Sequence, residues 1–210
     1  MRIIALGQQK GGTGKSCTAI NLATCAVAAG HKAAIIDMDS EQGTSRKWGT
    51  RRNGLDTPTV RSAGVGELDA VLNELRDAGY DWVFLDLPGR ATHLANAGMV
   101  SADLTLIPCR PLEVDVEASI ATMQSAKRAG KRYFYLMSIV PAHKEAARAK
   151  QMEGMLTALG HPVVPARIIQ RTVVPDSVSS GKGVCEVDPD SKSSLEFKEL
   201  FAWLEKETNQ

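Results

Sequence analysis

The sequence predicts a doubly wound α/β fold, in which a mostly parallel sheet is flanked by helices. Short apolar runs alternate along the chain with segments that carry apolar residues at helical spacing. A glycine-rich stretch joins the first apolar run to the first helical segment, and carboxylates follow two later runs. Carboxylates in those positions are typical of the ligand-binding edge of an open parallel sheet. Residues 1–210 contain no repeat, low-complexity tract or linker, so we expect a single domain.

The first strand and helix enclose the most informative stretch of the chain. Residues 3–6 are apolar, residues 7–16 are rich in glycine, and residues 15–29 show helical spacing that ends at Gly30. Glycines let the backbone turn its N–H groups inward, and the following helix directs its positive end to the same place. The stretch therefore predicts a phosphate site, in which Lys15 reaches the outer phosphates and the Ser16 hydroxyl coordinates Mg²⁺.

Residues 9–16 read Gln-Lys-Gly-Gly-Thr-Gly-Lys-Ser, with Gln9 where the standard phosphate-binding motif has its first glycine and with Lys10 added. This pattern resembles the deviant Walker A motif of the ParA/MinD ATPases, and ParA proteins in particular. The resemblance implies a P-loop NTPase domain with ATP or ADP and Mg²⁺ as cofactors. It also implies that Lys10 reaches across an ATP-bound homodimer to the partner's phosphates. The implied nucleotide contacts in this motif are Gly11, Gly12, Thr13, Gly14, Lys15, Ser16 and Cys17.

The second predicted strand, residues 33–36, ends in the acidic segment that begins with Asp37 and Asp39. This segment resembles the Asp-x-Asp-Pro-Gln motif of ParA proteins, except that Ser-Glu stands where a single proline is expected. The resemblance implies that Asp39 orients the attacking water, and we expect Asp37 to support the magnesium shell. Asp39 as the N-cap of the next helix is the alternative. The basic cluster that follows, from Arg46 to Arg52, is most simply a solvated helix face.

The third strand is predicted at residues 57–62, a helix at 66–78 and the fourth strand at 82–85. The fourth strand delivers Asp86, which is followed by a Pro-Gly turn. An aspartate in this place can hold magnesium through a water, and the N–H of Gly89 can contact the terminal phosphate. The segment resembles the Walker B and switch II motifs of the family. The alternative is an aspartate that only begins a turn.

The rest of the chain continues the alternation. Helices are predicted at 94–100, 116–129, 144–159 and 193–205, and strands at 103–108, 133–140 and 162–169. Residues 181–183, Gly-Lys-Gly, are expected to be flexible. ParA proteins carry a proline-containing loop before the fifth helix, which makes Asp115 a secondary site candidate, or else an N-cap. Their late loop packs on adenine, which implies that, within the loop at residues 170–176, Thr172 to Asp176 contact the base and that Arg171, Pro175 and Asp176 bind the nucleotide.

Composition limits the remaining possibilities. Lys and Arg number 25 against 24 Asp and Glu, so the chain is not globally basic, although a local basic patch is allowed. Four scattered cysteines argue against a zinc site, an iron–sulfur centre and a disulfide framework. We find no leader and no apolar run of the roughly 18 residues that a membrane span requires, so we expect a cytoplasmic protein. The last helix balances its charges, which argues against the membrane-binding tail of MinD.

The resemblance implies a ParA-like ATPase that dimerises on ATP and binds DNA non-specifically. Such a protein associates with the nucleoid and drives plasmid or chromosome partition or cargo positioning, and a ParB-like or other adaptor protein stimulates its hydrolysis. The alternatives are a metabolic enzyme related to dethiobiotin or cobyrinate synthases and a MinD-like positioning ATPase. An electron-transfer role like that of the nitrogenase iron protein would need cysteines that bridge a cluster, and the cysteines of this chain do not lie in such a context. Candidate DNA contacts are Arg128, Lys131, Arg132, Arg148, Lys150, Arg167 and Arg171.

Overall fold

A computed structural model describes residues 1–90, 93–142 and 146–209. The strands are β1 (Arg2–Leu6), β2 (Ala33–Asp37), β3 (Thr59–Ser62), β4 (Trp82–Asp86), β5 (Leu104–Cys109), β6 (Arg132–Val140) and β7 (Val163–Ile169). The helices are α1 (Lys15–Ala28), α2 (Thr44–Thr50), α3 (Leu68–Asp77), α4 (His93–Ser101), α5 (Glu113–Arg128), α6 (Ala146–Ala158), α7 (Val173–Ser179), α8 (Val184–Val187) and α9 (Lys192–Glu207).

All seven strands form one sheet in the order β3-β2-β4-β1-β5-β6-β7, and every neighbouring pair is parallel. The chain begins in the middle of the sheet, builds outward to β3, returns through β4 beside β1, and then extends to the other edge. This confirms the predicted doubly wound α/β class, with a sheet that is parallel throughout the described residues. In such sheets ligands bind beyond the carboxyl ends of the central strands.

Helices cover both faces of the sheet, which explains why its strands are continuous apolar runs. Successive side chains of a strand point to opposite faces. In β1, Ile3 and Ala5 join a buried cluster with α3, α4, α5 and α6, whereas Ile4 and Leu6 join a second cluster with α1, α2, α7, α8 and α9. The two layers hold the central strands rigidly from both sides, so their carboxyl ends form a fixed platform.

The predicted loop at residues 170–176 is wrong in its second half, because α7 begins at Val173. Pro175 suggested a break, but a proline in the first turn of a helix gives up an N–H that has no helical partner anyway. The short helix α8 was not predicted. The start of the helix predicted at 144–159 lies outside the described residues.

The prediction of a flexible segment at residues 181–183 is also wrong, because Gly181 and Gly183 are buried contacts. A Cβ atom at Gly183 would lie 2.1 Å from the Thr24 hydroxyl oxygen, and one at Gly181 would lie 2.4 Å from the Arg51 carbonyl oxygen. The glycines therefore allow α8 to pack closely against α1 and against the end of α2. The sequence led us to expect flexibility here, because glycine is common both in flexible segments and where two backbone segments pack closely.

Arg52 is a buried arginine that ties the end of α2 to α8. Its guanidinium donates to Gly181 O at 3.0 Å, pairs with both carboxylate oxygens of Glu186 at 3.0 and 2.7 Å, and lies 4.4 Å from the Trp48 ring centroid. Only 3% of its side chain is exposed. This contact fixes the position of α2 relative to the rest of the domain.

Replacing Arg52 with leucine is expected to lower the free energy of unfolding by about 3 kcal/mol, because a carboxylate and three carbonyl groups lose their buried partner. Urea unfolding followed by circular dichroism measures the change. Arg51→Leu is the matched control, since Arg51 is exposed and its removal should change stability by no more than about 0.5 kcal/mol. Equal effects at the two positions would contradict the structural role of Arg52.

No helix in the described part of the chain is both long enough and apolar enough to span a lipid bilayer.

Candidate nucleotide-binding site

The carboxyl ends of β1, β2 and β4 bring the motif residues together. Asp86 lies beside Leu6 across one strand pair and beside Asp37 across the other. The glycine-rich loop that leaves β1 after Leu6 therefore runs directly over both carboxylates. Strand register alone accounts for the meeting of segments that are about eighty residues apart in sequence.

The glycine-rich loop has the backbone geometry of an anion site. Gly12 and Gly14 have φ angles of 73° and 93°, in the left-handed region that favours glycine. Gly14 is the N-cap of α1, and no side chain caps the free N–H groups of the first turn. Thr13 is buried, and its carbonyl accepts a hydrogen bond of 2.7 Å from the hydroxyl of Ser138. The loop is thus held from behind while its N–H groups stay available to an anion.

Lys15 is a buried cation in this loop, with 8% of its surface exposed. Its ammonium group lies 3.5 Å from Lys10 O, and a Cβ atom at Gly89 would lie 3.4 Å from it. Burial lowers the pKa of Lys15, while the charges of Asp86 and Asp39 act in the opposite direction. An anion that enters the loop would stabilise the charged form of Lys15, because it supplies a partner where water is largely excluded.

Two cavities adjoin the glycine-rich loop, and Gly12 lines both. The first, of about 620 Å³, is lined mainly by polar and small residues that include Lys15, Ser16, Asp39 and Gly89. The second, of about 630 Å³, is lined mainly by apolar groups of the β6 and β7 ends and of α7. A polar half for phosphates and an apolar half for a flat base suit a nucleotide.

Asp86 supplies an oxygen that fits a magnesium ion. It is 1% exposed, its Oδ2 accepts a 2.7 Å hydrogen bond from the Ser45 hydroxyl, and its buried Oδ1 has no hydrogen-bond partner. Burial raises the pKa of Asp86 to about 6, although the hydroxyls of Ser45 and Ser16 favour its ionised form. A free carboxylate oxygen beside a serine hydroxyl is the kind of all-oxygen donor set that Mg²⁺ takes with phosphate and water.

The described residues contain no cluster of three or more His, Cys, Asp or Glu side chains that could hold a metal ion. The oxygen donors of Ser16 and Asp86 fit a magnesium ion that would take most of its ligands from a bound nucleotide and water.

Asp37 and Asp39 hold the loop that follows β2. The two carboxylate oxygens of Asp37 accept backbone N–H groups, from Asp39 at 3.0 Å and from Arg46 at 2.7 Å. Asp39 Oδ1 accepts the N–H of Gln42 at 3.0 Å, and Asp39 also lines the polar cavity. Asp37 thus holds the loop through two backbone N–H groups. Asp39 stabilises a turn and also lines the polar cavity. Their magnesium and water-orienting roles stay predictions.

Lys10 is held within its own chain. Its ammonium group forms an ion pair with Asp115 Oδ1, and Arg110 Nε donates to the other carboxylate oxygen at 2.6 Å. Burial raises the pKa of Asp115, but the hydrogen bonds from Arg110 and Lys10 outweigh it and lower the pKa overall. Asp115 lies in the first turn of α5, whose N-cap is Leu112, so the N-cap alternative is wrong. Lys10 does not line the polar cavity of its own subunit.

The apolar cavity includes Cys17, Arg171 and Pro175 in its lining. Arg171 is held by Glu196 through two hydrogen bonds of 2.9 and 2.8 Å. Burial raises the pKa of the Cys17 thiol to about 12. Asp176 is exposed on α7 and is not among the lining residues, because this segment is helical and turns the side chain away. The predicted base contact of Asp176 therefore has no support from its position.

Three residues at the site were missed by sequence reasoning. Ser45 bonds to Asp86, Ser138 braces the glycine-rich loop, and Ile139 lines the apolar cavity with a φ of 52°. A positive φ is rare for a β-branched residue, and here it coincides with a break in the β6–β7 register. No local sequence pattern predicts these contacts, because each contact joins segments that are distant in sequence.

Asp86 is expected to destabilise the nucleotide-free protein at neutral pH. Burial raises its pKa from 3.8 to about 6, so the folded protein holds this proton more tightly than the unfolded chain does. The stability that protonated Asp86 contributes is fully present below pH about 4 and is lost as the pH rises through about 6. An asparagine side chain at this position would keep an acceptor for the Ser45 hydroxyl and would carry no charge at any pH.

Between pH 4 and pH 7, the unfolding free energy of the Asp86→Asn variant is therefore expected to rise relative to wild type by up to about 3 kcal/mol. Urea unfolding of both proteins at each pH, without nucleotide or Mg²⁺, measures this difference. A difference that does not change with pH would contradict a raised pKa at Asp86.

The fold and the site define an α/β nucleotide-binding protein of the P-loop type. Residues 4–184 match the family described as CbiA, the CobQ/CobB/MinD/ParA nucleotide binding domain. The chain belongs to this family, and its phosphate loop is of the ParA/MinD type. The members of this type are nucleotide-binding ATPases.

Similar proteins act in partition and positioning. The chain is 27% identical to the chromosome-partitioning ATPase Soj of Thermus thermophilus, over 95% of this chain and 94% of that protein. It is 23% identical to the maintenance of carboxysome distribution protein A of Halothiobacillus neapolitanus, over 92% and 91% of the two chains. The structure of the cell division ATPase MinD from Pyrococcus furiosus superposes with a TM-score of 0.79, covering 98% of both chains at 19% identity, and shows the shared fold.

Proposed function

We propose that this protein is a ParA-like ATPase that dimerises on ATP and uses Mg²⁺ to hydrolyse it. The observation that carries the proposal is that two lysines of one loop lie in different positions relative to the polar cavity. Lys15 lines the polar cavity, whereas Lys10 lies outside it, with 32% of its side chain exposed. A second lysine that does not face its own nucleotide is suited to the nucleotide of a facing subunit.

Hydrolysis follows from positioning and charge. The N–H groups of the glycine-rich loop and the Lys15 ammonium would bind the β- and γ-phosphates, and the N–H of Gly89 would contact the γ-phosphate. Ser16 and Asp86 would hold Mg²⁺, which supplies further neutralisation of the phosphate charge when it is bound. Asp39 would orient the attacking water from the opposite wall of the cavity. The ring of the base would lie in the apolar cavity against Ile139 and Pro175.

Dimerisation would exchange the partners of Lys10. In this structure Asp115 is shared between Lys10 and Arg110, so Arg110 would remain with the carboxylate when Lys10 turns to the partner's phosphates. The buried carboxylate therefore keeps one cation in both states, which makes the exchange less costly than breaking an isolated buried pair. Hydrolysis would stay slow until two subunits face each other.

The biological role follows from the relatives. We propose that the ATP-bound dimer binds DNA non-specifically, associates with the nucleoid, and is released when a ParB-like or other adaptor protein stimulates hydrolysis. The cargo would be a plasmid, a chromosome region or a protein compartment, since the relatives include proteins named for chromosome partitioning and for carboxysome distribution.

Sedimentation with ATP, ADP or no nucleotide, in the presence and absence of duplex DNA, tests the proposal. We expect dimers only with ATP and Mg²⁺, and salt-sensitive DNA binding by those dimers alone. Lys10→Gln is expected to bind ATP as a monomer. A protein that remains monomeric in ATP, or that turns over ATP at full rate as a monomer, would instead support a metabolic enzyme.

A further inference from the structure

Three of the seven DNA contacts suggested by the sequence are poorly placed to bind phosphate. Arg132 pairs with Glu207, Arg167 with Glu153 and Arg171 with Glu196. A cation that already has a carboxylate partner gains little from a second anion, because it must give up the first. These three arginines also hold β6, β7 and α9 in place. A DNA surface is better sought among exposed cations that have no carboxylate partner.

A different group of cations gathers around α2 and the edge strand β3. Its members are exposed, and their own side chains form no ion pair or hydrogen bond within the described residues. They are Arg46, Lys47, Arg51, Arg61 and Lys182, here called the α2 basic surface. Asp56 lines a 350 Å³ groove together with Arg46 and Arg61, and Arg46 also borders a second cavity that includes Asp37, Asp39 and Glu67. The net charge of the surface remains strongly positive.

The packing of α2 shows that these cations share one region. Lys47 and Arg51 are four residues apart, which places them on one side of α2. Lys182 joins them because the Trp48 ring nitrogen donates to Lys182 O at 3.2 Å and Gly181 packs on Arg51. Arg46 and Arg61 line the groove between α2 and β3. The buried pair of Arg52 and Glu186 lies beneath and holds this region rigid.

The same helix reaches the nucleotide site from its inner side. Ser45 donates to Asp86, and the backbone N–H of Arg46 donates to Asp37. Any rearrangement of these carboxylates around a bound nucleotide therefore acts directly on the helix that carries Lys47. This connection suits a ligand whose binding depends on the nucleotide state.

From this arrangement we propose that the α2 basic surface binds the phosphate backbone of duplex DNA. The inference rests on the proposed function and adds to it the surface that makes the contact. An array of unpaired, rigidly supported cations without a shaped polar pocket fits repeated phosphates, and it reads no base sequence. Binding should be independent of sequence and should weaken as salt rises.

The test compares two variants that each lose two positive charges. Lys47→Gln with Arg51→Gln removes the centre of the α2 basic surface, and Arg148→Gln with Lys150→Gln removes two exposed cations of α6. Fluorescence anisotropy with a labelled duplex of about 30 base pairs, in ATP and Mg²⁺, gives the affinity at several salt concentrations. Sedimentation in ATP without DNA shows whether each variant still dimerises.

We expect the α2 variant to dimerise normally and to bind DNA about tenfold more weakly, with the slope of log K against log salt reduced by about 2 for each subunit that contacts the duplex. The α6 variant should bind nearly as wild type does. If wild type binds DNA and only the α6 variant is impaired, the surface is wrong and the proposed function stands. If wild type dimerises in ATP but binds no duplex, both the DNA role and this surface are overturned.

Anionic vesicles of phosphatidylglycerol and phosphatidylethanolamine distinguish a second class of partner. We expect no ATP-dependent binding of wild type to these vesicles. Vesicle binding that the α2 variant loses, with DNA binding unchanged, would overturn the inference and assign the surface to a membrane.

Discussion

Replacing Lys15 with glutamine is expected to reduce ATP turnover by about 100-fold or more. The lysine is a preorganised charge in a site from which water is largely excluded, and charges so placed stabilise a transition state far better than exposed ones do. Glutamine has a similar length and retains a hydrogen-bond donor, so the loss measures the charge itself. Phosphate release at saturating ATP and Mg²⁺ measures turnover.

Lys206→Gln is the matched control for this variant, because it makes the same change at an exposed position of α9. We expect it to hydrolyse ATP at the wild-type rate. Thermal unfolding of the Lys15 variant without nucleotide should show an unchanged or slightly higher midpoint, since burial of the ammonium group carries a cost. Turnover close to the wild-type rate in a folded Lys15 variant would contradict the assignment of this loop as the ATP phosphate site.

Replacing Asp39 with asparagine is expected to lower turnover by about 100-fold while ATP-dependent dimers persist. Asparagine keeps the oxygen that accepts the N–H of Gln42, so the turn after β2 is preserved. It loses the negative charge that would orient and polarise the attacking water. Phosphate release gives the rate, and sedimentation in ATP gives the lifetime of the dimer, which should increase as hydrolysis slows.

Comparison with Asp39→Ala separates the catalytic role from the structural one. Alanine removes both the charge and the acceptor, so it should be as inactive as asparagine and also less stable, by about 1 kcal/mol. Full activity in the asparagine variant together with a defect in the alanine variant would identify Asp39 as a turn residue only.

Much of the fold was predictable because it is encoded locally. Continuous apolar runs such as Trp82 to Leu85 predict strands covered on both faces, and helical spacing predicts the layers between them. Local reasoning failed where two structures share one signal. Pro175 and the glycines at 181 and 183 are equally common in loops, in first helical turns and at close contacts, and only their neighbours in space distinguish these settings.

The phosphate loop could be predicted from the sequence, whereas the pairing of the basic residues could not. Glycine-rich geometry and the lysine of the phosphate loop are properties of one short segment, and the structure places Lys15 and Ser16 in the wall of one cavity. Their phosphate and magnesium contacts stay predictions. The basic residues show the opposite case. Sequence composition does not distinguish Arg171, which pairs with Glu196, from Arg51, which has no carboxylate partner in the described structure.

By itself the sequence determined the fold class, the phosphate loop and the carboxylates that end β2 and β4. These depend on periodicity and on contacts between residues close along the chain. Only the tertiary structure decided that Ser45 donates a hydrogen bond to Asp86 and that Asp115 forms an ion pair with Lys10. It also decided which cations have no carboxylate partner within the described residues. Each of these depends on how far apart two charged or polar groups lie after folding, and Coulomb and hydrogen-bond energies fall steeply with that distance.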